Sequence, residues 1–191
     1  MSSLWLRCRS VLIWSPMAIM FNNHFYTLKT VSGRSMQPTL NPDSSTSRDT
    51  VVFDRFSIRL SGQLARGDIV VFPSPLDPSR MLIKRVLAQE GDTVSTLPPY
   101  PAAEVQIPFG HVWVEGDEPF RSSDSNSFGP LPLALIDSKL LFIVFPFSRW
   151  GSLAVSSPDR LPHGPIKRLQ EAAVERERWR RSRVRLAPGN N

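Results

Sequence analysis

The chain has a single cysteine, Cys8, in 191 residues. That excludes an internal disulfide framework and any zinc site built on cysteines, and it leaves the redox compartment open. Histidine is almost as scarce: His24, His111 and His163 stand far apart, at no metal-ligand spacing and beside no nucleophile motif. A zinc hydrolase or a Ser-His-Asp triad therefore has little support. Neither G-x-x-x-x-G-K-[ST] nor G-x-G-x-x-G occurs, so phosphate-cradling functions are unsupported too. Neither a metal nor a cofactor is expected. Acidic residues are missing before Asp43, although Arg7, Arg9, Lys29 and Arg34 all fall in that stretch. Such an Arg-bearing, acid-free start resembles an organellar targeting sequence.

What is present suits one globular domain with additions at each end. Hydrophobic residues make up 41% and charged residues 21%, which points neither to wholesale disorder nor to a multi-spanning membrane protein. Eighteen prolines, scattered rather than clustered, break long helices and favour short strands joined by turns, so a mainly β core is expected. The net charge of +6 comes from the end of the chain, where nine basic residues from Arg160 onward face three acids. The rest is formally neutral and offers no basic face for a nucleic acid, so none is expected as a partner.

Three regions are expected: a targeting or membrane-anchor segment at 1–29, a β-rich catalytic domain at 30–160 and a basic, helical tail at 161–191. Residues 10–28 carry no charge, and 19 residues just suffice to cross a bilayer, although Pro16 interrupts the run. A cleaved presequence or a surface segment fits the same pattern. If the run spans, Arg7 and Arg9 stay behind and everything after Lys29 crosses. Strands are expected at 50–56, 69–72, 81–88, 111–114 and 140–145, and a charged helix at 166–186, where proline is absent.

The remaining chemistry is a serine with an amine. A serine hydroxyl attacking a carbonyl needs a base, and lysine serves only if its pKa falls far below about 10.4. Arginine stays protonated and cannot substitute. The candidates are only Lys29, Lys84, Lys139 and Lys167. Lys84 lies inside Met-Leu-Ile-Lys-Arg-Val-Leu, where strand alternation sends Leu82, Lys84 and Val86 to one face and Ile83 and Arg85 to the other. Lowering its pKa by about three units costs roughly 4 kcal/mol, a cost that makes sense where the neutral amine is used. On the local pattern alone, an ordinary edge-strand lysine facing solvent is the favoured reading. The candidate nucleophile is Ser35, in Ser-Gly-Arg-Ser-Met-Gln-Pro-Thr-Leu. Gly33 permits a tight backbone approach and Pro38 stiffens the segment after the serine, which suits an exposed nucleophile as well as it suits an ordinary loop.

Taken together, four ordered blocks over roughly residues 30–150 resemble the type I signal peptidase family, and within it the mitochondrial inner membrane branch. The blocks are Ser-Met-x-Pro-Thr-Leu with Ser35; Asp49-Thr50-Val51-Val52; Arg66-Gly67-Asp68-Ile69-Val70-Val71-Phe72 leading to Ile83-Lys84-Arg85-Val86 and Gly91-Asp92; and Gly116-Asp117-Glu118-Pro119 through Ser122-Ser123-Asp124-Ser125-Asn126. The resemblance implies a signal-peptidase-like, mostly antiparallel β domain resting on the membrane. It implies that Ser35 attacks the scissile carbonyl, that neutral Lys84 takes its proton, and that the Ser35 N–H helps hold the oxyanion. Ser122 is implied to orient Lys84, with Asp124 and Ser125 bracing the loop beneath the pair.

Departures accompany the match. Glu118 replaces the usual Asn, and Asn126 replaces an Arg that usually pairs with the aspartate, so Asp124 needs Asn126, Arg85, Arg121 or backbone instead. Asn126 followed by Ser-Phe-Gly-Pro resembles the second subunits of the mitochondrial branch. Gly33 stands where some bacterial relatives carry an oxyanion-donating serine. The resemblance implies removal of sorting peptides from precursor proteins, at the inner membrane with the catalytic domain in the intermembrane space, in a hetero-oligomer with a related catalytic subunit 1. Two readings compete: a bacterial-type signal peptidase, and a non-catalytic membrane adaptor acting through the basic tail. A self-cleaving repressor would need a DNA-binding domain for which the first thirty residues leave no room.

Overall fold

The structure is a computed structural model that describes residues 13–15, 25–42, 47–118, 122–152 and 165–187. Strands dominate: β1 (Tyr26–Thr30), β2 (Thr50–Asp54), β3 (Ile69–Pro73), β4 (Met81–Ala88), β5 (Thr93–Ser95), β6 (Glu104–Gln106) and β7 (His111–Glu115). After them come β8 (Leu131–Pro132), β9 (Ser138–Phe145), β10 (Gly151–Ser152) and β11 (Val184–Arg185). The helices between them are α1 (Phe56–Ser61), α2 (Ser125–Phe128) and α3 (Pro165–Ser182). An eight-stranded sheet runs β1-β2-β9-β3-β4-β7-β8, with β10 on β9, and a small sheet runs β11-β5-β6. Every strand pairing in both is antiparallel. The mainly β expectation holds.

The main sheet buries apolar side chains on both faces, as its β-branched runs require. Val31, Met36, Leu40, Val51, Phe53, Ile69, Val71 and Ile143 form one cluster, with Ile83 against it. Val70, Phe72, Val86, Val112, Val114 and Leu131 belong to a second, with Leu82 against it. The alternation along β4 is real: Leu82 and Val86 go one way and Ile83 the other. A third cluster, around Trp113 and Val94, glues the small sheet to the large one.

Several boundaries move. The strand expected at 50–56 ends at Asp54, whose Oδ1 accepts from the Ser57 N–H at 3.0 Å and so starts α1 instead. Gly62, at φ 61°, closes that helix with its N–H on the Ile58 carbonyl. The strand expected at 81–88 is observed with those bounds. The charge-free run 10–28 does not reach Leu28 as an anchor: Tyr26, Thr27 and Leu28 are paired in β1 against β2. Residues 13–15 are helical, most of the remaining run lies outside the described residues, and among the described residues no helix is long and apolar enough to cross a membrane.

The tail departs most. The expected helix ends at Ser182, and Val184 and Arg185 cross to pair with Val94 and Thr93 of β5. A solvated basic helix is therefore not what its last turn makes. Arg180 is 6% exposed and Arg183 9%, because acids on and just after β7, Asp117 and Glu115, take both guanidiniums. A charge count along the sequence registers cations but not the carboxylates that fold back to meet them.

Candidate active site

Ser35 sits in a tight turn just after β1. The Gln37 N–H donates to the Arg34 carbonyl at 3.0 Å and the Leu40 N–H to the Met36 carbonyl at 2.8 Å, which coils the segment. Met36 and Leu40, buried in the first cluster, pin both ends of that coil and leave Ser35 half-buried at the surface. Asn41 then clasps Asp49: the Asn41 N–H donates to Asp49 Oδ2 at 2.8 Å, and the Asp49 N–H donates to Asn41 Oδ1 at 2.8 Å. Asn41 Nδ2 also donates to the Val31 carbonyl at 2.9 Å, so the clasp ties the Ser35 segment back to its own start. Arg149 closes the far side, pairing with buried Asp49 and donating to the Thr39 carbonyl at 2.6 Å. Gly33 has φ 96°, a conformation that only glycine adopts without strain, but a Cβ there would meet nothing within 4 Å. Its requirement is the backbone angle, not the close approach expected from the sequence.

Lys84 arrives from β4, paired to Val70 of β3. The residue is 1% exposed, and its Nζ stands 2.9 Å from Ser35 Oγ. Burial pushes its pKa down to about 8, while the charges of Asp124 and Asp117 partly oppose the drop. A neutral amine is thus within reach at ordinary pH. Its neighbour Arg85 is buried as well, at 8% exposure, although alternation points it the other way. Two donors from Arg85 grip Asp117, Nε to Oδ1 at 3.0 Å and Nη2 to Oδ2 at 2.8 Å. Burial opposes the charged form of Asp117, yet the bond and charge of Arg85, with Arg180 beside them, hold its carboxyl below the usual range.

The third wall is built by residues 115–118 and 122–126. Asp124 Oδ2 accepts from the Gly116 N–H at 3.2 Å, and Oδ1 accepts from both the backbone N–H and Nδ2 of Asn126, each at 3.1 Å. Asp124 thereby caps α2 and takes Asn126 and backbone as the substitutes for an arginine, while Arg85 is occupied by Asp117. Arg121, another expected partner, lies outside the described residues. Ser125 Oγ accepts from the Val114 N–H at 2.9 Å, fastening α2 to β7. Ser122 differs from expectation: its Oγ is buried with no hydrogen-bond partner, so it does not hold Lys84 in this state. It packs instead on Gly116, where a Cβ would come within 2.7 Å of both Ser122 Cβ and the Ser35 carbonyl oxygen. The Glu118 N–H donates to that same carbonyl at 3.0 Å.

A cleft of about 590 Å³ opens beside the pair, lined by residues 29–36 on one side and 80–84 on the other. The charged residues lining it besides Lys84 are Lys29, Arg34 and Arg80. Pairing between β4 and β7 covers Arg85 to Ala88 and stops before Lys84, so the backbone edge of β4 at 81–84 faces the cleft.

The signal peptidase, peptidase S26 family model matches residues 4–99. Mitochondrial inner membrane protease subunit 2 of Saccharomyces cerevisiae is 43% identical over 140 residues, covering 73% of this chain and 79% of its own. The chain belongs to the S26 signal peptidase family. Its human subunit 2 relative is 42% identical over 156 residues, 81% of this chain and 88% of that one. Subunit 1 from Schizosaccharomyces pombe is 33% identical over 138 residues, covering 72% and 85%. The chain is accordingly a peptidase of the signal-peptidase type, similar to subunit 2 of the mitochondrial inner membrane protease. A crystal structure of signal peptidase I from Enterococcus faecalis matches 41% of this chain and 97% of its own at 24% identity and a TM-score of 0.37.

Of the residues singled out in the sequence, Ser35 and Lys84 meet directly, Asp124 and Ser125 hold the wall behind them, Gly33 lines the cleft, and Ser122 touches the turn without hydrogen-bonding. Four further residues contribute, Asn41, Asp49, Asp117 and Arg180; Asn41 and Arg180 lie outside the motif blocks, and Asp49 stands inside one without a role read from it. Asp117 stands inside a motif block, but its partners are an arginine on a distant strand and another in the tail, and strand alternation reads neither pairing.

Proposed function

We propose that the chain is a membrane-anchored serine endopeptidase, with Ser35 as nucleophile and Lys84 as general base, that removes sorting peptides from proteins delivered to the mitochondrial intermembrane space. The observation that carries this reading is the 2.9 Å approach of a nearly inaccessible Lys84 Nζ to Ser35 Oγ. Neutral Nζ accepts the hydroxyl proton as Oγ bonds to the scissile carbonyl carbon, and the resulting ammonium gives that proton to the leaving amine. Water, deprotonated by the same amine, then releases the acyl group. The Ser35 N–H is the proposed oxyanion donor. Ser122 turns to Lys84 as substrate enters, which would satisfy its buried hydroxyl. Asp124 and Ser125 keep that wall in place.

The free edge of β4 at 81–84 suits an extended peptide, whose backbone hydrogen bonds give affinity without demanding a particular sequence. Exposed Phe145, Phe147 and Trp150, with ring contacts between Phe145 and Phe147 and between Phe147 and Trp150, form an apolar patch suited to a bilayer surface. The names of the relatives support an inner-membrane location and a complex of subunit 2 with a related catalytic subunit 1.

The test compares wild type, Ser35→Ala and Lys84→Met, reconstituted with a candidate partner subunit, on a sorting-peptide precursor across pH. Both variants should lose cleavage while folded, and the wild-type rate should rise through a limb near pH 8, where the Lys84 amine gives up its proton. Undiminished cleavage by either folded variant overturns the reading and makes the chain a non-catalytic partner.

A further inference from the structure

We propose that Arg180, on the C-terminal helix, is a positioning residue for the Ser35–Lys84 pair, acting through Asp117 and the turn 116–118. The inference rests on the dyad reading above. Arg180 belongs to the basic tail, far from Ser35 in sequence, and nothing in the motif blocks points to it. Its Nη1 donates to Asp117 Oδ1 at 2.7 Å, and its Nη2 donates to the carbonyls of Asp117 at 2.8 Å and Gly116 at 3.3 Å. One guanidinium thus holds both the side chain and the backbone of a single turn, the fork geometry for which arginine is suited and lysine is not.

That turn bears on the nucleophile. Its next residue, Glu118, donates its N–H to the Ser35 carbonyl at 3.0 Å. Gly116 stands so close to the same carbonyl that no side chain fits between. A turn gripped from behind by Arg180 therefore fixes where Ser35 can sit. Without that grip it is held by Arg85 through Asp117 and by Asp124 through the Gly116 N–H.

The same contact sets the field at the amine. Asp117 and Asp124 are the carboxylates that favour protonated Lys84. Asp117 is faced by Arg85 from β4 and Arg180 from α3; Asp68 and Glu177 act on Arg85, and Glu177 lies 3.6 Å from Arg180. Glu115, on β7, is taken by Arg183. Deleting the Arg180 charge leaves Asp117 offset by Arg85 alone, so more of its negative potential reaches Lys84. Protonated Lys84 is then favoured, its titration midpoint rises, and less neutral base exists at a given pH.

The chain has four lysines, which permits a direct measurement. In the full-length chain carrying 13Cε-labelled lysine, Lys84→Met identifies the Lys84 signal, and its titration is followed in wild type, Arg180→Gln and Arg180→Lys. Arg180→Met, which keeps the aliphatic stem, replaces the Gln variant if that fails to fold. The expected result is a midpoint raised by about half a pH unit in the Gln or Met variant, with the cleavage limb moved by the same amount and a rate about threefold lower below it. Arg180→Lys should keep the midpoint and lose rate by the looser grip on the turn. A folded Gln or Met variant with an unmoved midpoint, or a Lys variant that shifts as far, overturns the proposal, because a merely structural contact changes stability without moving the titration. Failure of the dyad reading shows differently, as undiminished cleavage by Ser35→Ala whatever Arg180 does to the lysine signal.

Discussion

Ser35 and Lys84 are held in place by two unlike regions. The Ser35 segment, residues 31–41, is seated by apolar anchors, Met36 and Leu40, and by one Asn–Asp clasp. The opposite wall, residues 115–118 and 122–126, is seated by charge: Asp117 between two arginines, Glu115 with Arg183, and Asp124 on backbone and Asn126. Apolar packing is indifferent to pH and tolerant of small shifts in shape, whereas buried ion pairs are costly to break one-sidedly. The Lys84 amine lies against the charged wall, where a local field can be set, and the Ser35 hydroxyl lies in the apolar region. Adjacent residues make the same point. Lys84 and Arg85 are both buried, but Arg85 has a carboxylate in its grip and Lys84 has a hydroxyl. Arginine stays protonated and its carboxylate offsets the cost of burial, whereas burial beside a hydroxyl brings the neutral form of Lys84 within reach.

The comparison is broken most severely where the two regions touch. Gly116→Ala should cut cleavage by about a hundredfold or more, measured as kcat/KM, since the new methyl must displace either Ser122 or the Ser35 carbonyl, and a shift near 1 Å at a reacting group has that scale of effect. Asp117→Asn should cost about 3–5 kcal/mol in denaturant unfolding at pH 7 by leaving Arg85 and Arg180 face to face without their carboxylate. Its pH dependence sharpens the contrast: the Asp117 contribution is present above the ordinary carboxylate pKa and is lost as pH falls through its depressed folded value.

Lys84→Met should act in the other direction. A lysine whose folded pKa is lowered to about 8 destabilises the folded protein below that pH, and the penalty fades as pH rises from about 8 towards its unfolded value. The variant should therefore be more stable than wild type by about 3 kcal/mol at pH 7, and the difference should shrink by pH 10. A difference constant with pH would mean that only packing had changed. The smallest effect belongs to the apolar region: Asn41→Ala should cost about 1–3 kcal/mol by removing the side-chain partners of the Asp49 N–H and the Val31 carbonyl, with the pH of half-maximal rate unmoved.

Legibility in the sequence divides along the same line. Strands with strong alternation or apolar runs, 81–88 above all, are where the pattern puts them, because side-chain periodicity is a local property. Ser35 and Lys84 are not singled out by their local patterns, which fit a loop serine and an edge-strand lysine as well; they stand out through the ordered blocks that carry the family resemblance. Tyr26–Leu28 reads as part of a membrane run because an edge strand with a charge-free start has the same composition, and β1 is recognised only by its pairing with β2. Asp54 ends a strand early through a side-chain cap that hydropathy cannot register. The burial of Arg180 and Arg183 is illegible for a deeper reason. Their helix is polar by composition, and what buries its last turn is a set of carboxylates far upstream in the chain.

Translation runs from the N-terminus, so the order in which these partners emerge is fixed. When the strands of the main sheet have all been made, Asp117 has Arg85 but not Arg180, Glu115 lacks Arg183, and Asp92 lacks the Ala187 N–H it accepts at 3.0 Å. A shortened product that stops before Arg180 carries every motif residue and yet leaves each of those acids one partner short. The last turn of α3 and the strand after it thus complete the charged wall behind the pair, and they are made after every motif residue.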